Sequence, residues 1–435
     1  MKKNIYTFLF LGLVIFACQQ GYEKTNYQLI ISADALEGEF YQQNGETIIK
    51  SPNTLQLEDF FVWGGSVIKG KDGRYHMLFS LWECGEKFPP FQDGWLLYSK
   101  IAYAVSDYPD KDFKFQKIVL RGRMFDGDST AWDAQSVHNP HLKRFHDKYY
   151  LYYTGSFDPG SQPKGSPGEK LSVRNRIQQS QKLGVIAFDT FQDLITGNFF
   201  RPEIPLLIPR TRVKNDNVLN PSPPGTIPKP DNLIVVNPSV VYHPQDGKYL
   251  LYFKGNLWDP HWRGVHGVAI GDSPVGPFSA TDDFVFDIRL ENGKLASAED
   301  PYVWFHKKHN RFYAVFKDFS GKITGDKPGL AMLFSSDGIN WQKPGSSLFL
   351  NKELLFPNGK SLKVNHLERP QLLINEEGNP EVLYAACSVE RVGGKKDGST
   401  FNVQIPLVVK KRQVAKKSNT NPPKRRRTFS FTNFH

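Results

Sequence analysis

The chain has 435 residues, of which 39% are hydrophobic and 14% aromatic, and its formal net charge is +11. This length allows one large domain or two ordinary ones. Residues 410–435 hold nine Lys or Arg and no acid, which leaves 46 basic against 44 acidic residues in the rest. Nucleic-acid-binding proteins carry positive charge on a folded face. The nearly neutral body therefore argues against nucleic acid as a partner, and residues 410–435 are predicted to be a disordered basic tail.

Residues 1–18 have the pattern of an export signal. Two lysines precede an apolar run at residues 5–17, which is too short to span a bilayer comfortably. The run ends at Cys18 in a pattern that resembles a bacterial lipoprotein signal. The prediction is an exported protein of the periplasm, outer membrane or cell surface that touches the membrane only through a lipid on Cys18. A plain cleaved signal peptide is the alternative.

Residues 19–54 are predicted to be an N-terminal extension, and residues 55–409 repeat one supersecondary unit five times. Each copy has a proline or glycine, an apolar run, a polar turn and an aromatic-rich strand. The copies are marked by Gly65, Pro140, Pro238, Pro301 and Pro370, which are 75, 98, 63 and 69 residues apart. Each gap fits a four-stranded sheet, and radial repetition of such sheets gives a propeller. The prediction is an all-β, five-bladed β-propeller, with a strand at residues 400–409 closing the ring.

Polar residues cluster around these prolines. Proline is tolerated at strand starts, so each proline is predicted to begin an inner strand and the residue before it to point into the central funnel. The candidates at or near these strand starts are Trp63, Asp133, His138, Asn139, Asn237, Glu299, Asp300, His366, Glu368 and Arg369, and Lys254, Lys317 and Asp318 follow the second strands.

Several carboxyl groups with different neighbours would then share one cleft. Glycoside hydrolysis needs such a set, because one carboxyl group must donate a proton while another stays ionised. Glu299 and Glu368 are not turn formers, so they are the strongest candidates. Asp133, Asn139 and Asn237 have an alternative explanation, since Asp and Asn before a strand commonly bond their own backbone.

The Asn-Pro or Asp-Pro units and the turn "DSPVGPF" (272–278) resemble the five-bladed propeller glycoside hydrolases of families 43, 32, 68 and 117. The segments "VWGGSV", "HNP", "AEDPYVW", "KDFSGK" and "HLERPQL" are similar to those of bacterial family-43-like, or sucrase-like, hydrolases. The family 43 resemblance implies an aspartate base on the first blade, where this chain has Gly64 and Gly65, and the nearest acid is Asp59. The family 117 resemblance makes His138 a candidate acid.

The resulting hypothesis is an exo-acting glycoside hydrolase for oligosaccharides from plant, algal or host polysaccharides. Glu299 or Glu368 would be the acid and Asp133 or Asp300 the base, with His138 as a further catalytic candidate. The predicted substrate-binding residues are Trp63, Asn139, Asn237, Lys254, Lys317, Asp318, His366, Arg369 and Arg174. The basic segment "SVRNR" (172–176) suggests an acidic or sulfated sugar. No cofactor is expected, and a structural calcium ion at the propeller axis is left open.

Two other functions remain open from the sequence. A glycoside phosphorylase would need a cluster of cations in the funnel, which Lys254, Lys317 and Arg369 could supply. A carbohydrate-binding lipoprotein without catalysis would explain the glycines that replace the expected Asp-Pro on the first blade.

Overall fold

A computed structural model describes residues 27–211, 218–219, 221–258, 262–325 and 328–413. The predicted signal, Cys18 and residues 414–435 of the predicted tail lie outside these ranges. Three short α-helices occur within them, α1 (Phe91–Tyr98), α2 (Val173–Gln179) and α3 (Phe191–Thr196). None of the described helices is long and apolar enough to cross a bilayer.

Most of the described chain is β-strand. Four strands precede the first blade: β1 (Tyr27–Ala33), the hairpin of β2 (Glu39–Gln43) and β3 (Glu46–Lys50), and β4 (Thr54–Leu55). Blade one contains β5 (Phe60–Lys69), β6 (Tyr75–Glu83), β7 (Lys100–Ser106) and β8 (Lys114–Leu120). Blade two contains β9 (Ser136–Phe145), β10 (Lys148–Ser156) and β11 (Lys182–Phe188). Blade three contains β12 (Val236–His243), β13 (Lys248–Trp258), β14 (Trp262–Gly271) and β15 (Phe278–Ala280).

Blade four contains β16 (Ala298–His306), β17 (Arg311–Asp318), β18 (Gly329–Ser335) and β19 (Trp341–Gln342), and β20 (Leu348–Asn351) also pairs with β18. The hairpin of β21 (Glu353–Leu355) and β22 (Ser361–Lys363) follows. Blade five contains β23 (His366–Ile374), β24 (Pro380–Ser388), β25 (Phe401–Gln413) and β1, and β4 also pairs with β25. The predicted all-β, five-bladed propeller is confirmed.

Two details of the blades differ from the sequence-based expectation. The outer strand of blade five is β1, which comes from the segment predicted to be an extension outside the propeller. The described part of blade two forms a sheet of three strands, with Phe200 adding only an isolated bridge to Ala187. Pairing of β25 with both β24 and β1 covers an edge that would otherwise be exposed.

Apolar side chains pack between each pair of neighbouring blades. The interface of blades two and three, for example, contains Tyr152, Leu251 and Phe253, all fully buried. Equivalent clusters lie at the other four interfaces. Since aromatic and β-branched residues fit a pleated, buried surface, the aromatic-rich strands of the repeat form this core, and the polar residues at the inner strand ends are left to line the channel.

Each inner strand carries a β-bulge at its proline or glycine, rather than beginning there. The strand register shifts at this point in all five blades. The residue before the proline or glycine has a left-handed backbone in every case: Gly64, Asn139, Asn237, Asp300 and Arg369, with φ between 56° and 63°. A bulge tolerates a residue without an N–H donor. The bulge therefore places five equivalent residues around the channel.

Replacement of Gly64 tests the strain at this position. An alanine Cβ would lie 3.4 Å from Cβ of Arg369, an ordinary contact, so the backbone conformation should dominate the cost. We expect Gly64→Ala to lower the free energy of unfolding by about 1–2 kcal/mol and Gly64→Asn to lower it less, because Asn tolerates positive φ. Urea unfolding measures both, and equal losses in the two variants would contradict the assignment.

Candidate active site

The polar ends of the inner strands surround a cavity of about 330 Å³, to which all five blades and helices α1 and α2 contribute. Most of the residues predicted from the sequence line it: Trp63, His138, Asn139, Arg174, Asn237, Lys254, Glu299, Asp300, Lys317, His366, Glu368 and Arg369. The structure thus brings together side chains that are separated by up to three hundred residues in the sequence.

The residues before the prolines form a hydrogen-bonded chain across the cavity floor. The amide of Asn139 donates to Oδ1 of Asn237, and Nδ2 of Asn237 donates to Oδ1 of Asp300 at 2.7 Å. From the other side, Nη1 of Arg369 donates to the same oxygen at 3.0 Å. Gly64 completes the set, because its missing side chain leaves room for that of Arg369. Asp300 is therefore the acceptor on which these hydrogen bonds converge.

Two glutamates share one buried lysine above this floor. Nζ of Lys317 lies 2.6 Å from Oε1 of Glu368 and 3.8 Å from Oε2 of Glu299. Lys254 forms a second ion pair with Glu299 at 3.0 Å. Lys254 and Lys317 come from the second strands, β13 and β17, whereas both glutamates come from inner strands. The arrangement places two carboxylates within reach of one ammonium group.

The two neighbouring acids of blade four have opposite pKa shifts. Burial alone would raise the pKa of Glu299, but the charges of Lys254 and Lys317 outweigh it and lower that pKa to about 2. Burial raises the pKa of Asp300 to about 6, although Arg369 acts against this increase. Glu299 is therefore ionised across the physiological range, while a fraction of Asp300 is protonated.

Two histidines line the cavity as neutral rings. Burial, with a smaller effect of Arg369, lowers the pKa of His138 to about 3, and its ring lies 5.0 Å from that of Trp95. Burial lowers the pKa of His366 to about 4, and its Nδ1 is hydrogen-bonded to Ser388 at 2.7 Å. His138 is therefore in the predicted place but lacks the charged state that a histidine acid would need near neutral pH.

Helices α1 and α2 form a side wall that the sequence analysis did not predict. Their ion pair joins Nε of Arg174 to Oδ1 of Asp93 at 2.7 Å, and Nη1 of Arg174 donates to Gln178 at 3.0 Å. α1 adds Phe91 and Trp95 to the cavity lining. The four-residue spacing of these aromatics after two prolines was the available signal, but it lies in an insertion outside the repeats.

Asp133 was predicted to be a funnel residue and possible base, but it lies outside the cavity lining. It is fully buried, with Nη2 of Arg201 at 2.7 Å from Oδ2 and Nε of Arg123 at 3.2 Å from Oδ1. The hydroxyl of Tyr153 also donates to Oδ2 at 2.8 Å. These partners give Asp133 a structural role.

Asp318, a predicted binding residue, is also directed elsewhere. Its Oδ1 accepts the backbone N–H groups of Ser320 and Gly321, and its Oδ2 accepts those of Ile323 and Thr324, at 2.9–3.1 Å. It therefore organises the loop after β17. Asp59, the nearest acid of the first blade, is exposed and does not line the cavity. In the described part of the chain, no group of three or more His, Cys, Asp or Glu could hold a metal ion.

No protein-family model and no curated protein matches this chain. Among solved structures, one described as a glycoside hydrolase is 11% identical, with a TM-score of 0.52, and the match covers 81% of this protein and 90% of the other. A complex of BT0996 and RGII is 11% identical, with a TM-score of 0.51 and coverages of 82% and 90%. Zg3597, a family 117 glycoside hydrolase from Zobellia galactanivorans, is 17% identical, with a TM-score of 0.49 and coverages of 87% and 90%. The first two show that the protein shares its fold with known proteins.

The structural role of Asp133 predicts a large loss of stability on its replacement. Asp133→Asn would leave two largely buried arginines without their counter-charge, so we expect the free energy of unfolding to fall by about 3–5 kcal/mol. The control is Asp126→Asn, because the exposed pair of Asp126 with Arg121 should contribute less than about 1 kcal/mol. Denaturant unfolding compares the two, and similar small losses would contradict this role.

Proposed function

We propose that this chain is a glycoside hydrolase that uses the carboxyl groups of its propeller cavity. The observation that carries the proposal is the pair of adjacent acids with opposite pKa shifts, about 2 for Glu299 and about 6 for Asp300. Glycosidases need one carboxyl group as proton donor and another in the ionised form. The shared fold with a structure described as a glycoside hydrolase is consistent with this proposal.

In the proposed reaction, Asp300 is the general acid and Glu299 the ionised partner. Oδ1 of Asp300 already accepts two side-chain donors, from Asn237 and Arg369, so Oδ2 is the oxygen available to carry the proton. That proton would pass to the glycosidic oxygen as the bond breaks. Glu299 would either activate a water molecule or attack the sugar carbon. This assignment reverses the sequence-based hypothesis, in which Glu299 was a candidate acid and Asp300 a candidate base.

We assign Glu368 to substrate positioning beside the reacting groups. Its carboxylate is paired with Lys317, and it shares this lysine with Glu299. Removal of Glu368 would leave Lys317 to interact with Glu299 alone. The supporting observation is geometric: one ammonium group links the two carboxylates, so a change at one of them alters the charge around the other.

The shape of the cavity favours the end of a sugar chain over its middle. Its volume of about 330 Å³ is near the lower limit of ligand pockets, and α1 and α2 wall one side. The rings of Trp63, Trp82 and Trp95 line it, and such rings stack on the faces of sugars. We therefore propose exo-action, with release of one terminal unit from an oligosaccharide.

Charge pairing in the cavity favours a neutral sugar and water as the second reactant. Lys254, Lys317, Arg369 and Arg174 each pair with a carboxylate. A phosphorylase would need cations available to phosphate, and an acidic sugar would need the same. The structure therefore argues against the sequence-based suggestion of an acidic or sulfated sugar in this cavity. Export through residues 1–18, with a lipid on Cys18, remains part of the proposal on the strength of the sequence pattern alone.

Replacement of the cavity acids tests the proposal. We expect wild-type protein to release reducing ends from at least one oligosaccharide of a panel of plant, algal and host glycans. Glu299→Gln and Asp300→Asn should each lower kcat/KM by roughly a hundredfold or more, and Glu368→Gln should mainly raise KM. Glu291→Gln, at an exposed position outside the cavity, is the matched control. Binding of a glycan without turnover by wild type would instead support a carbohydrate-binding protein.

The two pKa shifts predict the pH dependence of the reaction. Since Asp300 must be protonated, kcat/KM should fall about tenfold per pH unit above a pKa of about 6. Since Glu299 stays ionised down to about 2, no second loss should appear between pH 4 and 6. Initial rates from pH 4 to 8, with circular dichroism at each pH to verify folding, measure this profile. Activity that rises from pH 5 to 7 would contradict the assignment of Asp300.

A further inference from the structure

The propeller contains a second cavity, of about 560 Å³, that the proposed hydrolysis does not use. It is lined by the later halves of all five inner strands, past their bulges, whereas the candidate active site is lined by the residues at and before the bulges. The two cavities therefore lie along the same channel and are approached from different ends of the inner strands.

A hydrogen-bonded polar layer separates the two cavities. Oε1 of Gln371 accepts from Oγ of Ser66 at 3.1 Å and lies 2.9 Å from Nδ1 of His141. Nε2 of His141 accepts the backbone N–H of Val240 at 2.9 Å. Each of these side chains follows a bulge residue by two positions or belongs to the same strand segment. This layer makes the second cavity an independent compartment.

The second cavity has cations in its lining but no carboxylate. Lys143, Arg144 and Lys307 line it, and no described Asp or Glu does. Arg144 is paired with the highly exposed Asp147 at 3.0 Å. Among the described residues, no carboxylate forms an ion pair with Lys143, whereas each lysine of the first cavity has one. The lining therefore has an excess of positive charge.

Lys143 crosses the channel from blade two to blade four. Its Nζ donates to the hydroxyl of Tyr302 at 3.2 Å and lies 4.6 Å from the centre of that ring. The Tyr302 hydroxyl itself donates to the carbonyl of Leu372 at 2.9 Å. Burial lowers the pKa of Lys143 to about 8, as expected for an ammonium group without a counter-charge. An anion beside Nζ would relieve this cost.

Apolar and aromatic side chains form most of the remaining lining. Tyr242 is 39% exposed, Phe145 and Phe305 are half-buried, and Val67 and Ile374 complete the wall on the opposite side. Ligand pockets typically combine such a lining with a few polar groups that fix the orientation of the ligand. The cavity thus offers one charged anchor and several ring faces.

We propose that this cavity is a second binding site, which takes a ring-shaped organic anion with its carboxylate or sulfate group at Lys143 and its ring against Tyr242 and Phe305. Sugar acids and sugar sulfates have this chemistry. The inference does not depend on the proposed hydrolysis, because none of these residues lines the first cavity.

Isothermal titration of the full-length protein with four probes tests the site: glucuronate, glucose 6-sulfate, glucose and inorganic sulfate. We expect one of the two anionic sugars to bind at least tenfold more tightly than glucose and than inorganic sulfate. Which of them binds identifies the carboxylate or the sulfate ester as the preferred group. Lys143→Met should weaken that binding by roughly tenfold or more, and Lys143→Arg should retain most of it.

Matched variants locate the binding. Lys254→Met removes a lysine of the first cavity and should leave the affinity unchanged, as should Lys148→Met on the surface of β10. Tyr242→Ala should weaken the anionic sugar but not inorganic sulfate. Lys143→Met should keep the thermal stability of wild type and any glycoside hydrolysis. Equal affinity of Lys143→Met and wild type, binding of neither anionic sugar, or inorganic sulfate binding as tightly as the sugar, would each overturn the proposal.

Discussion

The left-handed residue before each proline or glycine is the constraint on which the site depends. Gly64, Asn139, Asn237, Asp300 and Arg369 share this conformation, which costs a residue other than glycine of the order of 1 kcal/mol. The bulge gives the strand two directions, so that residues before it surround one cavity and residues after it face another. Hydrogen bonds from Asn237 and Arg369 to Asp300 offset part of the cost and connect neighbouring blades.

The electrostatics of the first cavity follow from this geometry. Asp300 lies on the floor, where burial dominates its pKa, whereas Glu299, one residue earlier on the same strand, reaches the two lysines of neighbouring second strands. One bulge thus places adjacent residues in opposite environments. Gly64 explains the missing acid of the first blade in the same terms, since Arg369 lies against it. The cavity has a carboxyl pair from a single blade, instead of the first-blade base that the resemblance to family 43 implied.

Much of the fold could be predicted from the sequence, because the Pro-apolar-turn-aromatic unit recurs at intervals that suit one blade each. Residues next to the prolines, such as Glu299 and Arg369, were found for the same reason. Asp133 and Asp318 were misassigned, because proximity to a strand end does not reveal which way a side chain points. The partner Arg201 lies far along the sequence from Asp133, and the loop that Asp318 caps has no repeated signal. The pairing of β1 with β25 joins the two ends of the propeller, and the wall formed by α1 is an insertion, so neither appears in the repeat.

The central claim is that Asp300 and Glu299 are held in different protonation states within one cavity. Carbon-13 NMR of the protein labelled at aspartate and glutamate carboxyl carbons, titrated between pH 3 and 8, tests it most directly. Asp300→Asn and Glu299→Gln would assign the two resonances by their loss. The account predicts that Asp300 titrates at a pKa of about 6 and that Glu299 shows no titration in this range, because its pKa is about 2. Titration of both carboxyl groups near 4, their ordinary value, would contradict it.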